Sequence, residues 1–443
     1  MYKTTKVLVK KNNNTELYMY FEKYCALSKN LYNAALFRMR QNYTMKDKTI
    51  LSKNEQDVLE EMNLLKSKTP RYLSYTFLEK LMHITKNPDF FAGLPMQSAQ
   101  YSVKSAVQDM LNWKEAKKAY KINPGAFSGA PNMPKYKKSD LALLKFTNQD
   151  CVIYNKESVY LKFPKTKETL RLYELPNDVK LKEVQVKPFY NDFMVLVICE
   201  TNEKTDSAKK FNISSIDFGV NNVISTVINN GTCMIYKGGF IKSLNEYTNK
   251  QISKYKQLLD LDPCTGKTSN RIQNIWESRN LKMQDHLHKI SSDYINECVK
   301  HNVGVIVIGK NENWKTKSNI GTKNNRIFCT ISYNTLTWMI RYKAEFVGIQ
   351  VIEREESYTS KASALDFDYI PTYGVDDENA TFSGSRINRG LYRSSDGTII
   401  NADINGAANI LRKEYPTAFD GLDLNFLKQP KIKKYEDFFI KCA

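Results

Sequence analysis

Two nearly unbroken apolar runs, VGVIVIG at 303–309 and FVGIQVI at 346–352, decide most of what the second half of this chain can fold into. A strand with one solvated face alternates apolar and polar residues, whereas a strand covered on both faces stays apolar along its length, as parallel strands crossed over by helices do. A third segment, ISSIDFGVNNVISTVI at 213–228, is apolar with a polar turn in its middle. Between it and the first run lies a helix-rich stretch, 243–300, broken by DPCTG. This stretch carries, among other basic side chains, Arg271, Arg279, Lys282, His286, His288 and Lys289, and has Ile272, Ile275, Met283, Leu287, Ile290 and Tyr294 on one face. The ordering predicts a mixed sheet flanked by helices from residue 211 onward.

The first half has a different pattern. YKTTKVLVK at 2–10 alternates like a half-buried strand, and the NNNT that follows reads as a turn with Thr15 as a helix cap. From 16 to 122 the spacing is mainly helical, with Leu17, Tyr20, Phe21, Tyr24 and Leu27 three and four apart. Pro124, Gly125, Gly129, Pro131 and Pro134 break that periodicity. Six short segments rich in β-branched and aromatic residues follow, from LALLKFT to FMVLVICE, and predict a small β-barrel closed by the first strand.

Lys and Arg number 66 against 47 Asp and Glu, a formal net charge of +19, and so strong a field favours polyanionic partners, nucleic acid first. In the helical region Lys114, Lys117, Lys118 and Lys121 share one helix face and are candidates for phosphate contact, as are Arg279, Arg386 and Arg389 further on. The eight cysteines stand singly with no C-x-x-C pair, which argues against a zinc ribbon and against a disulfide framework. No apolar signal core follows Met1 and no window is long enough to span a bilayer, so a cytoplasmic protein without a membrane partner is expected.

Two acids stand where chemistry could use them. Asp217 ends the ISSI run just before a Gly-permitted turn, and Asp403 lies in IINADINGAANILRK, where a short apolar stretch runs into a helix. Alone, the first is a turn former and the second a helix cap.

The motifs DFGVNN, VIVIGKNENWK, ESYTSKAS and NADINGAANI, in that order, together with LPMQSAQ and PNMPKYKK earlier, resemble the TnpB family of insertion-sequence RNA-guided nucleases over the whole chain. That family is related to the compact type V CRISPR effectors and to Fanzor. The resemblance implies a multidomain α+β protein. A wedge-like β-barrel (1–15 and 123–210) would be interrupted by a helical recognition lobe (16–122). An RNase H-like α/β RuvC nuclease domain (211–359 and 399–443) would follow, with a ribbon-like target nucleic-acid-binding insert (360–398). It implies a guide RNA and double-stranded target DNA as partners, Gln97 and Gln100 as readers of a flanking DNA motif, and two Mg²⁺ or Mn²⁺ ions held by carboxylates.

The sequence departs from the commonest TnpB pattern twice. The Glu that normally follows the second apolar strand is replaced by Gly309, and the resemblance to a branch with a relocated acid points to Glu356 in its place. The metal-binding and catalytic set is then Asp217, Glu356 and Asp403, with Glu355 and Glu312 as rivals to Glu356; on a strand Glu355 would face the opposite side, together with Glu353. The cysteine pairs of the ribbon are also missing, Ser363 and Asp366 and then YRSSDG standing in their regions, so no zinc is expected. A nuclease-dead, RNA-guided DNA-binding repressor is the alternative reading, with Gly309 as its support; an unguided transposase is a third.

Overall fold

The structure is a computed structural model and describes residues 2–155, 158–173, 175, 179–201, 210–261, 268–310, 333–376, 378, 380–388 and 390–439. Two units divide the chain, 1–203 and 204–443.

In the first unit β1 (Tyr2–Val9) is followed by four helices, α1 (Thr15–Met45), α2 (Lys53–Asn63), α3 (Tyr75–Ile84) and α4 (Met96–Ile122). The cap of α1 is Asn14, which accepts from the Leu17 N–H at 2.9 Å; Thr15 is instead the first helical residue. Six strands follow: β2 (Leu144–Thr147), β3 (Val152–Asn155), β4 (Val159–Lys162), β5 (Thr169–Leu172), β6 (Lys180–Phe189) and β7 (Asp192–Glu200). The first strand pairs with the last, Tyr2 opposite Glu200 through Val9 opposite Phe193, so the helices are an excursion between neighbours in one sheet. Among the described residues the strands pair as two sheets, β1-β7-β6-β2 and β3-β4-β5, rather than as the single closed ring expected of a barrel. Strands of four residues, as β2 to β5 all are, offer too short an edge to bridge the two. Phe21 of α1 joins them through one core, packing on Phe163 beside β4 and on Phe193 of β7.

The second unit contains β8 (Asn212–Asp217), β9 (Asn222–Ile228), β10 (Thr232–Lys237), α5 (Gly239–Asp260), α6 (Asn270–Lys300), β11 (Val303–Gly309), α7 (Tyr333–Phe346) and β12 (Gln350–Arg354). A small antiparallel sheet, β13 (Ser385–Asn388), β14 (Leu391–Arg393) and β15 (Ile399–Asn401), leads into α8 (Ala402–Glu414), and β16 (Lys431–Lys433) comes last. The main sheet is mixed, in the order β12-β11-β8-β9-β10-β16. β8, β11 and β12 run parallel and β9 antiparallel to β8. Alternation divides its two faces: Ile216, Ile306 and Ile308 join Leu287, Tyr294, Leu336 and Ile340 of α6 and α7, while Val227, Ile235 and Val307 join Ala407 and Leu411 of α8. The run at 303–309 is β11, an inner strand of the sheet, but the run at 346–352 is not one doubly covered strand: Phe346 ends α7, and β12 begins at Gln350 on the sheet edge with no fully buried residue. His286 is not part of a basic surface: it is fully buried against Phe240 and Tyr435, and burial lowers its imidazole to about 4.

Candidate active site

Period-two geometry puts Asp217 on the α8 side of the sheet. Ser214 faces α6 and lies 2.8 Å from the Tyr294 hydroxyl, whereas Ser215 faces α8 and donates to the Ala407 carbonyl at 2.6 Å. Asp217, two residues past Ser215, emerges on that same side at the end of β8. Asp403 stands in the first turn of α8, where Asn401 accepts from the N–H groups of Asp403 and Ile404 at 3.0 and 3.2 Å, and where the helix dipole favours an anion. Glu356 follows β12, the neighbour of β11 on the side away from β8.

Three glycines make room for these acids. A Cβ on Gly406 would come within 2.6 Å of Asp217 Oδ2, and one on Gly219 would meet the Asn222 carbonyl at 2.8 Å and Asp403 Oδ2 at 3.6 Å. A Cβ on Gly309 would stand 2.5 Å from Glu356 Oε2 and 2.5 Å from Ile410 Cδ1. The missing side chain at the end of β11 and the acid arriving from beyond β12 are therefore one feature, because Glu356 occupies the space a residue at 309 would need.

The rivals of Glu356 are engaged elsewhere. Lys413, with a side chain only 3% exposed, holds Glu355 at 2.6 Å, and Glu355 also accepts from the Ser357 N–H. β12 ends at Arg354, so this ion pair rather than strand alternation turns Glu355 away. Glu353 pairs with Lys310 and Arg341 at 2.5 and 2.8 Å. Glu312 lies outside the described residues.

Burial first, and then the charges of Glu356 and Asp403, push the Asp217 carboxyl well above its usual range, with Arg386 acting in the opposite direction. Glu356 is raised to about 7, again chiefly by burial. Asn222 donates to Asp403 Oδ2 at 2.7 Å and is itself steadied by Lys237 at 3.0 Å; Arg386 of β13 stands 3.5 Å from the other oxygen of Asp403. Among the described residues no group of three or more Asp, Glu, His or Cys side chains is close enough together to hold a metal ion as it stands. Glu356 and Asp403 nonetheless act on Asp217 through space, as like charges near a poorly solvated carboxyl do. An all-oxygen donor set with surplus negative charge fits a hard divalent cation.

The insert is tied together by oxygen and nitrogen. Asp366 accepts from the Ser395 N–H at 3.0 Å and its hydroxyl at 2.5 Å, joining the two regions that lack cysteines. Asp368 accepts from the N–H groups of Ser363 and Ser383 at 2.7 and 3.2 Å. Asn405 and Asn409, buried on α8, donate to the carbonyls of Ala362 and Thr359 at 2.8 and 2.9 Å and fasten the segment to the helix that carries Asp403.

Residues 196–315 match the OrfB_IS605 family, described as a probable transposase, and residues 333–410 match the Cas12f1-like TNB domain. The first match contains Asp217, and the second contains Glu356, Arg386 and Asp403. The TnpB-like protein ORF457 of Acidianus two-tailed virus is 27% identical over 222 residues, 49% of this chain and 44% of that protein. The TnpB-like protein MJ0751 of Methanocaldococcus jannaschii is 30% identical over 155 residues, 34% of this chain and 52% of that protein. In these segments the chain is similar to TnpB-like proteins. It spans about half the length of these two curated TnpB-like relatives. A solved Cas12f1–sgRNA–target DNA complex is similar with a TM-score of 0.55 at 15% identity, covering 90% of this chain and 83% of that one, which establishes a shared mixed α+β fold.

The nucleic-acid candidates of the sequence are dispersed. Gln97 hydrogen-bonds with Gln149 and Thr147, and Gln100 donates to Glu79 at 2.9 Å. On α4, Lys117 donates to the Tyr43 hydroxyl at 2.8 Å, Lys114 lies over the Tyr72 ring, and Lys118 pairs with Glu115, while Lys121 is exposed. Arg279 does internal work, bridging α6 to Asn245 of α5 at 2.8 and 3.0 Å. Arg389 lies outside the described residues. No described helix is long and apolar enough to cross a membrane. Sequence reasoning missed Asn222 as the partner of Asp403, although it stands in the DFGVNN motif. It also missed Tyr333, whose hydroxyl donates to the Gly219 carbonyl at 2.9 Å and fixes the turn after Asp217.

Proposed function

We propose that this protein is an RNA-guided DNA endonuclease. A non-coding guide RNA and a short flanking DNA motif select double-stranded DNA, and Asp217, Glu356 and Asp403 form its cutting site. The observation that carries the reading is the approach of Glu356 into the space left by Gly309, on the face that also bears Asp217 and Asp403. The same observation removes the support for a nuclease-dead repressor, since the side chain missing at 309 is matched by an acid that takes its space.

The three carboxylates would hold two Mg²⁺ or Mn²⁺ ions. When bound, these supply an activated water and charge stabilisation for the leaving oxygen of a phosphodiester. Asn222 and Lys237 fix the orientation of Asp403, Tyr333 holds the backbone after Asp217, and Arg386 offers a guanidinium to a phosphate arriving beside Asp403. The serine and aspartate contacts of the insert support a ribbon that works without zinc.

Sequencing the RNA that copurifies with the full chain tests guidance, and a cleavage assay on matching duplex DNA in Mg²⁺ tests the chemistry. A discrete RNA with a variable end, and cutting that disappears in Asp217→Ala, is the expected result. Guided binding with no cutting in either Mg²⁺ or Mn²⁺ would replace the nuclease reading with the repressor.

A further inference from the structure

Next to the three acids, on the other face of β11, lies a cavity of about 380 Å³ lined by Phe218, Gly309, Lys310, Tyr333, Trp338 and Arg341 among others. Its floor belongs to the catalytic turn. Phe218 follows Asp217, Gly309 touches Glu356, and Tyr333 holds Gly219, so whatever fills the cavity reaches the carboxylates within a residue. Its wall is one stripe of α7. Asn334, Thr337, Trp338 and Arg341 fall at i, i+3, i+4 and i+7, while Tyr333, Leu336 and Ile340 are buried in the sheet core.

A helix stripe turned to solvent is ordinarily polar, and a single exposed apolar residue needs no explanation. Trp338 is more than that. It is 61% exposed, leans on Tyr342 with ring centroids 4.8 Å apart, and stands beside Arg341 and Lys310, whose side chains are 50% and 52% exposed. Glu353 lies between the two cations and cancels one of them, leaving net positive charge beside a bare indole. An aromatic face with a guanidinium and an ammonium next to it, in a space the size of a nucleotide, is the combination that holds one unit of a single strand: base on ring, phosphate on cation.

We infer that this cavity is a nucleotide subsite for the DNA strand being cut, in which Trp338 stacks on an unpaired base next to the scissile phosphate and Arg341 with Lys310 takes the adjoining phosphate. The subsite rests on the nuclease reading and deepens it. It makes the preferred substrate of the carboxylates an unstacked single strand, because a base still paired in a duplex cannot present its face to Trp338. Trp338, Arg341 and Lys310 are positioning residues and touch none of the reacting atoms.

The test uses the full chain with its copurified RNA and a single-stranded DNA oligonucleotide carrying 5-iododeoxyuridine, irradiated in Ca²⁺ so that crosslinking is read apart from cutting. The crosslink is expected on the α7 peptide containing Trp338, lost in Trp338→Ala and kept in Trp338→Phe. With unmodified single-stranded DNA in Mg²⁺, Trp338→Ala should raise KM about tenfold while kcat moves by less than about twofold, and Trp338→Phe should recover most of the difference. Asp217→Ala should retain the crosslink and lose cutting; cutting that persists there defeats the nuclease reading instead. If the wild type cuts, depends on Asp217, and yet crosslinks elsewhere with KM unchanged in Trp338→Ala, the subsite is wrong while the nuclease stands. Preferential crosslinking of Trp338 to a 5-iodouridine RNA of the same sequence would overturn the assignment to DNA.

Discussion

Asp217, Glu356 and Asp403 form one group of carboxylates in the second unit, and Asp366, Asp368 and Asp396 of the insert form another, built the opposite way. In the first, burial dominates and drives the carboxyls of Asp217 and Glu356 upward, helped at Asp217 by the charges of Glu356 and Asp403 and at Glu356 by that of Glu355. In the second, burial raises Asp366, but the hydroxyls of Ser363 and Ser395 outweigh it and leave it below the usual range. Asp396 is lowered by the Ser394 hydroxyl and the Thr398 N–H. Carboxylates given enough N–H and O–H donors are held in their ionised form, whereas carboxylates that are buried near like charge are pushed toward the neutral one.

The sharpest challenge to that contrast is to remove single acids. Asp217→Ala, Glu356→Ala and Asp403→Ala should each lower cleavage by about a thousandfold or more while guided binding survives, because the site works as a unit. Glu355→Ala should stay within about tenfold of wild type in the same assay, since its carboxylate serves Lys413. Full activity in Glu356→Ala with loss in Glu355→Ala would reverse the assignment. Gly309→Ala comes next: a Cβ at 2.5 Å from both Glu356 and Ile410 should cost about 1–3 kcal/mol in denaturant unfolding and displace the acid, so cutting falls as well.

The third measurement is thermal stability against pH in EDTA. Glu356 has its folded value raised from 4.5 to about 7, so its contribution to stability is fully present below 4.5 and disappears as pH rises through about 7. The loss is on the order of 3 kcal/mol, and Tm should fall between pH 5 and 8. Mg²⁺ should flatten that slope by favouring the ionised form. Asp366 has the opposite sign: being lowered, it stabilises at neutral pH and gives this up only as pH falls through its folded value in the acid range.

Smaller effects belong to the insert and to α4. Asp366→Ala should cost about 1 kcal/mol and speed proteolysis within 360–398, with no change in metal content. Zinc at one per chain by elemental analysis would contradict the donor-rich half of the contrast. Neutralising Lys118 and Lys121 should flatten the salt dependence of binding by about one unit of slope for each phosphate that is no longer neutralised. Lys114 and Lys117 should add less, because Tyr72 and Tyr43 already engage them.

What the sequence made legible follows from what periodicity can carry. The doubly covered strands β9 and β11 and the helical stretch 16–122 were readable because burial leaves its mark residue by residue. The places of Asp217 and Asp403 at a strand end and a helix start were readable, but alone these marked a turn and a cap, and the grouping of the two acids came from the resemblance. The pairing of strands in the first unit was not, since four-residue strands say nothing about which edge they join. Nor could periodicity show that Glu355 meets Lys413, 58 positions along the chain, or that Asn222 serves Asp403, 181 positions away. The role of Glu356 came from resemblance, and the clearance at Gly309 that supports it exists only in three dimensions.

That clearance also ties two positions of the sequence together. Gly309 and Glu356 constrain one another, so neither can change first without harm. A glutamate returned to 309 while Glu356 remains would crowd Ile410 and the existing carboxylate, and loss of Glu356 while 309 is still glycine would leave the site one ligand short. If the proposed cutting site is right, exchanging the two arrangements needs both substitutions at once, because each single step would crowd the site or empty it. Positions 309 and 356 are therefore coupled sterically: the space at the end of β11 admits the Glu356 carboxylate or a side chain at 309, and not both.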